Sequence, residues 1–135
     1  MIFLDTNILI RFLTRDDPDK ADACFELLQK AEAQEITLVT TEAVIAEVVY
    51  VLSSPKLYNL SREDIRNRLY PVLSIKGLKI PYRKMYLRAL DLYVTYPLDF
   101  EDVVILAQME RQHINEVYSY DKGFDDVEGI QRLEP

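Results

Sequence analysis

Short apolar runs recur along the chain at 2–4, 36–39, 78–80, 117–120 and 130–133, and the intervals between the first four leave room for a pair of helices each. Runs this short and this apolar suit strands buried on both faces, and strands that alternate with helical segments suit a parallel sheet covered by helices. The helical intervals show the expected periodicity. Ile8, Leu9, Phe12 and Leu13 recur at helical spacing, and Asp16-Asp17-Pro18 ends that helix and starts the next with Pro at its first position. Residues 19–34, 42–53, 82–94 and 99–112 continue the pattern, and Ser61 with Asp64 forms a capping signal for a helix that ends near Leu73. The expected order is β-αα-β-αα-β-αα-β-turn-β: an α/β fold with three layers, α/β/α, around a parallel sheet of four to five strands. At 135 residues, with no repeat and no Pro/Gly/Ser-rich linker, the chain is expected to be one domain spanning 1–135.

Composition removes several functional classes. A single Cys and a single His exclude a disulfide framework and Cys-rich or multi-histidine metal sites. No apolar run approaches the roughly 20 residues that span a bilayer, and the N-terminus lacks a signal-peptide pattern, so a cytoplasmic location is expected. The net charge of −7 disfavours simple electrostatic binding of nucleic acid. It is compatible with a nucleic-acid enzyme whose acids converge on divalent cations.

The acids are not scattered at random. Two runs end directly in Asp, at Asp5 and Asp121, and in open parallel sheets ligands gather beyond the carboxyl ends of the strands. Neighbouring strands would bring these two carboxylates into one crevice. Each also fits a local role, Asp5 as an N-cap and Asp121 as a turn residue before Lys122-Gly123. Asp99 and Asp102 open the helix at 99–112; Asp99 suits the cap, and Asp102 is better placed to reach a site at that helix end. Glu47 lies in the apolar segment 42–53, on the side of Ala43, Tyr50 and Val51. A carboxylate buried there needs a partner, either an Arg or a metal. Two charges about 4 Å apart repel by roughly 4 kcal/mol at an effective dielectric of about 20. A cluster of such acids persists if it holds hard cations, and oxygen-only ligands suit Mg²⁺ or Mn²⁺.

With those residues in place, the chain resembles the PIN-domain family, most closely its VapC-like ribonuclease toxins. The N-terminal signature is Phe3-Leu4-Asp5-Thr6-Asn7, and the helical Glu motif is Ala46-Glu47-Val48-Val49-Tyr50-Val51-Leu52. The third acid stands in Asp99-Phe100-Glu101-Asp102-Val103-Val104, with bulkier valines than the family often shows. The fourth stands in Ser119-Tyr120-Asp121-Lys122-Gly123-Phe124-Asp125. The resemblance covers essentially the whole chain, with its motifs in family order. It implies an endoribonuclease with Mg²⁺ or Mn²⁺ held by Asp5, Glu47, Asp102 and Asp121. Thr6, Asn7, Asp99, Ser119 and Asp125 would support them. It further implies an RNA substrate, a small antitoxin partner and a homodimer.

Other features are less specific. Arg62 with Arg66, and Lys84 with Arg88, lie one turn apart and could meet phosphates or simply pair with nearby acids. Tyrosines could stack on unpaired bases, although Tyr82, Tyr86 and Tyr93 fit a helix packed into the core. His113 near a helix end reads as a surface residue, and Cys24 as core. Two alternatives stay open. One is a catalytically silent PIN module that binds RNA or protein. The other is a phosphatase of haloacid-dehalogenase type, which usually has Asp where this chain has Asn7.

Overall fold

Leu38 is fully buried at the centre of three parallel strands, and the chain threads those strands in the order it makes them. In a computed structural model that describes all 135 residues, the elements are β1 (Ile2–Phe3), α1 (Thr6–Thr14), α2 (Pro18–Glu32), β2 (Leu38–Val39), α3 (Glu42–Ser53), α4 (Arg62–Leu73), β3 (Leu78–Lys79), α5 (Arg83–Thr95), α6 (Phe100–Gln112), β4 (Glu116–Tyr118), a 3-10 turn (Lys122–Asp126) and β5 (Gln131–Leu133). The expected alternation is therefore present, with all six helices. Strands β1, β2 and β3 pair in parallel with Ile2 opposite Leu38 and Leu38 opposite Leu78. Strands β4 and β5 form a separate parallel pair with Glu116 opposite Gln131. The parallel α/β class stands, with its five strands divided between two sheets.

The chain forms two compact units, Met1–Arg83 and Lys84–Pro135, and each sheet closes within its own unit. In the first unit, Leu4, Leu9, Ile45, Leu52, Ile65, Leu69 and Leu78 are almost completely buried. Burial of each such side chain contributes about 1.5–3 kcal/mol against the entropy of ordering. Gly77 precedes β3 because a Cβ there would overlap the Ala31 carbonyl at the end of α2. In the second unit, Ala89, Leu90, Val103, Leu106 and Phe124 are buried, and Tyr93 packs edge-on against Phe100. No helix is long and apolar enough to cross a membrane.

Local signals acted largely as expected. Pro18 stands at the start of α2 behind its cap Asp17, whose carboxylate accepts from the Lys20 N–H. Ser61 Oγ accepts from the Asp64 N–H at the start of α4. Two expectations change. The apolar runs predict strands buried on both faces, yet Ile2 and Phe3 of β1 are 58% and 59% exposed, and no residue of β4 or β5 is buried. Tyr82 does not join the buried face of α5 with Tyr86 and Tyr93; it precedes the helix with φ of 56° and is exposed.

Candidate active site

In the first unit, the end of β1 is anchored and the next residue is released. Leu4 is buried, its N–H donates to the Val39 carbonyl at 2.7 Å, and its carbonyl accepts from Thr40 Oγ1 at 3.2 Å. Asp5 follows in extended conformation as the N-cap of α1, with its carboxylate accepting from the Thr6 N–H at 2.7 Å. The helix start thus holds Asp5 at the carboxyl end of the strand, where a parallel sheet collects ligands. Thr6 is buried, and its hydroxyl donates to Glu47 Oε2 at 2.9 Å across from α3. Asp5, Thr6, Asn7 and Glu47 line one cleft of about 380 Å³ with Ile10, Arg11, Val51 and Tyr58.

Glu47 requires a correction. The expectation of an acid in buried apolar surroundings does not hold: Glu47 is exposed, as are Ala43 and Tyr50 on its side of α3. The buried stripe is Val44, Ile45, Val48, Val49 and Leu52, on the opposite side. An exposed carboxylate needs no compensating charge, and the Thr6 hydroxyl, rather than an Arg, is its partner.

In the second unit, Asp99 takes the N-cap position of α6 but its side chain makes no capping hydrogen bond. Asp102 sits in the first turn, half-buried. Burial first, then a hydrogen bond to the Asp121 carboxyl and the charge of Asp121, push its pKa up from 3.8 to about 6; Asp99 and Glu101 add to the effect. Asp121 caps the 3-10 turn. Its Oδ1 accepts from the Gly123 N–H at 2.9 Å, and its own N–H donates to Ser119 Oγ at 3.0 Å. A Cβ at Gly123 would crowd the Leu98 side chain and the Asp121 carboxylate. Asp125 is engaged elsewhere. Arg132 Nε donates to its Oδ1 at 2.9 Å, while Arg132 also holds the Ser119 carbonyl and Glu134.

The structure thus joins Glu47 to Thr6 and Asp102 to Asp121. It nowhere gathers three or more His, Cys, Asp or Glu side chains as a ready metal-ligand group. The donor chemistry nevertheless fits a hard divalent cation. Asp5, Glu47, Asp102 and Asp121 offer only oxygen, none of the four forms an ion pair, and the Asp102 carboxyl is held toward its protonated form beside Asp121. Among the other cations, Arg88 makes two hydrogen bonds to Glu110, and Arg66 lies over the Tyr70 ring at 4.6 Å. His113 is the exposed left-handed cap of α6, and Cys24 is buried. Sequence reasoning missed Arg11 and Tyr58 in the acidic cleft. The available signal was Arg11 standing four residues after Asn7, hence on the same helix face.

Comparison with known proteins gives the same frame. The PIN domain family matches residues 2–130. Two curated proteins are each 29% identical over 135 residues, covering 98% of this chain and 99% of their own: VapC ribonuclease Mb1869c of Mycobacterium bovis and Ribonuclease VapC13 of Mycobacterium tuberculosis.

Proposed function

This chain belongs to the PIN-domain family, and from that premise we propose that it is a metal-dependent endoribonuclease, the toxin of a toxin–antitoxin pair. The observation that carries the reading is the state of the four motif acids. Asp5 and Glu47 line one cleft, Asp102 faces the Asp121 carboxyl, and none of the four has a Lys or Arg partner. Carboxylates left without a counter-charge suit a site that receives its charge from outside. The two relatives whose names describe ribonucleases match along nearly their whole length, which supports the same activity here.

In this reading the four acids hold Mg²⁺ or Mn²⁺. Such an ion, when bound, supplies positive charge for an RNA phosphodiester as negative charge builds on it during hydrolysis. The chain's own residues do the rest. Thr6 orients Glu47 through its hydroxyl, the Gly123 N–H fixes the Asp121 carboxylate, and Ser119 Oγ holds the Asp121 backbone N–H. Asp102 gives up the proton it holds beside Asp121 when a cation enters. Asn7 adds an amide to the cleft, and Asp99 adds negative charge beside Asp102. Residues 1–135 act together as one PIN domain, in the cytoplasm, as a homodimer, and a small antitoxin protein restrains the site.

The phosphatase alternative gains no support, since Asn7 occupies the place of its second Asp and no other acid lines that cleft besides Asp5 and Glu47. The test is RNA cleavage by purified, antitoxin-free protein with Mg²⁺, with Mn²⁺ and with chelator, beside Asp5→Asn and Asp102→Asn. Metal-dependent cutting lost in both variants is expected. Equal cutting by parent and variants would place the activity elsewhere. Metal-independent RNA binding without cutting, on structured cellular RNAs as well, would favour the silent binding module.

A further inference from the structure

The acidic cleft of the first unit contains a brace that the four acids do not need. Arg15 ends α1 in the left-handed conformation, with φ of 54°, and this turn sends Asp16 back alongside Arg11. Asp16 Oδ2 accepts from the Arg11 guanidinium at 2.7 Å and from the Tyr58 hydroxyl at 2.6 Å. One carboxylate oxygen therefore fastens together α1, the α1–α2 turn and the segment between α3 and α4. Both of its donors, Arg11 and Tyr58, line the cleft with Asp5 and Glu47.

The charges give this brace a purpose. An RNA strand approaching Asp5 and Glu47 meets two negative groups, and Arg11 is the one cation among the eight lining residues. A guanidinium carries five N–H donors in a planar fork suited to phosphate. Asp16 is the one acceptor that the chain gives Arg11, so donors remain for a ligand. The Asp16 carboxyl is held down to about 2, first by the Tyr58 hydroxyl and then by Arg11, so it is ionised at neutral pH. As an isolated surface ion pair this contact would contribute little to stability. What it does fix is where the cation stands.

We propose that Arg11 is the residue of this cleft that grips an RNA phosphate, and that Asp16 and Tyr58 are positioning residues that aim it. The proposal rests on the ribonuclease reading and names how that site holds its substrate. Its test separates binding from cutting. Binding of a fluorescein-labelled single-stranded RNA of mixed sequence is followed by anisotropy in chelator over a salt series. Cleavage of the same RNA is followed with Mn²⁺. Arg11→Gln is expected to weaken binding and raise KM by about tenfold, with kcat within about threefold, and to lower the salt slope by about one phosphate contact. Arg11→Lys, which keeps the charge, should restore most of the binding. Asp16→Asn and Tyr58→Phe should raise KM by less and leave the salt slope as in the parent.

Unchanged binding and salt slope in Arg11→Gln would overturn the proposal. So would a loss in kcat alone, or a loss in Arg11→Lys as large as in Arg11→Gln. A parent that cuts RNA while Arg11→Gln cuts with the same KM refutes this inference and leaves the ribonuclease reading standing. A parent that neither binds nor cuts RNA refutes both.

Discussion

Glu47 and Asp102 are both motif carboxylates carried on helices, yet the chain holds them in opposite ways. Glu47 is exposed and accepts a hydrogen bond from the Thr6 hydroxyl. Asp102 is half-buried and faces another acid, Asp121, with Asp99 and Glu101 adding to the repulsion. The first arrangement is satisfied as it stands. The second is satisfied only by keeping a proton, and is therefore the one that a cation would change most. The difference separates two ways of holding a carboxylate: one oriented by a neutral donor, another set against a second acid under electrostatic tension.

The contrast can be broken most severely at the acids. Asp102→Asn, Asp121→Asn and Glu47→Gln should each lower kcat for RNA cleavage by on the order of 10²–10³, because each removes charge stabilisation in the transition state. A variant of either kind that cuts normally would remove that residue from the site. Next come the groups that orient them. Thr6→Val deletes the hydroxyl bonded to Glu47 and should cost about 10–100-fold in cleavage or metal affinity, with Ser119→Ala in the same range.

The pH dependence sharpens the contrast further. Asp102 titrates near 6 in the folded chain against an ordinary 3.8, so the folded state binds more protons between these values. Stability of the metal-free protein should therefore fall as pH rises from about 4 to about 6. Cleavage at limiting metal should rise over the upper part of this range. Thermal melts in chelator should show the decline, and Asp102→Asn should flatten it by removing the titrating carboxyl. A slope unchanged in that variant would assign it to other groups. The smallest effect is expected at Asp125. Arg132 already occupies that carboxylate, so Asp125→Asn should alter cleavage by less than about twofold, as measured beside the parent.

Much of this was readable in the chain. The alternation of apolar runs with paired helical segments revealed the element order, because burial and helical period act locally. Caps such as Asp17 with Pro18 and Ser61 with Asp64 were legible for the same reason. Strand length was less so. The run 36–39 yields only Leu38–Val39, since a ladder extends only as far as its partners, and Ile2–Phe3 and Leu78–Lys79 are equally short. The environment of Glu47 was misread because apolar neighbours along a helix do not reveal which side meets the core. Ala43 and Tyr50 are apolar by type and exposed in fact. The motif acids could be found by their spacing. The Arg11–Asp16–Tyr58 brace could not, because Tyr58 stands 42 residues beyond Asp16 and only tertiary folding brings its hydroxyl there.

The most direct check on whether the two kinds of carboxylate serve one purpose is calorimetric titration of the purified protein with Mn²⁺ near pH 5.5, in the parent, in Asp5→Asn and in Asp121→Asn. Binding in the parent should release protons, as expected when a cation displaces the one held by Asp102 beside Asp121. Each substitution should weaken that binding by at least tenfold, corresponding to about 1.4 kcal/mol. Full affinity retained in either variant, or no binding by the parent, would contradict the assignment of these acids to a common metal site.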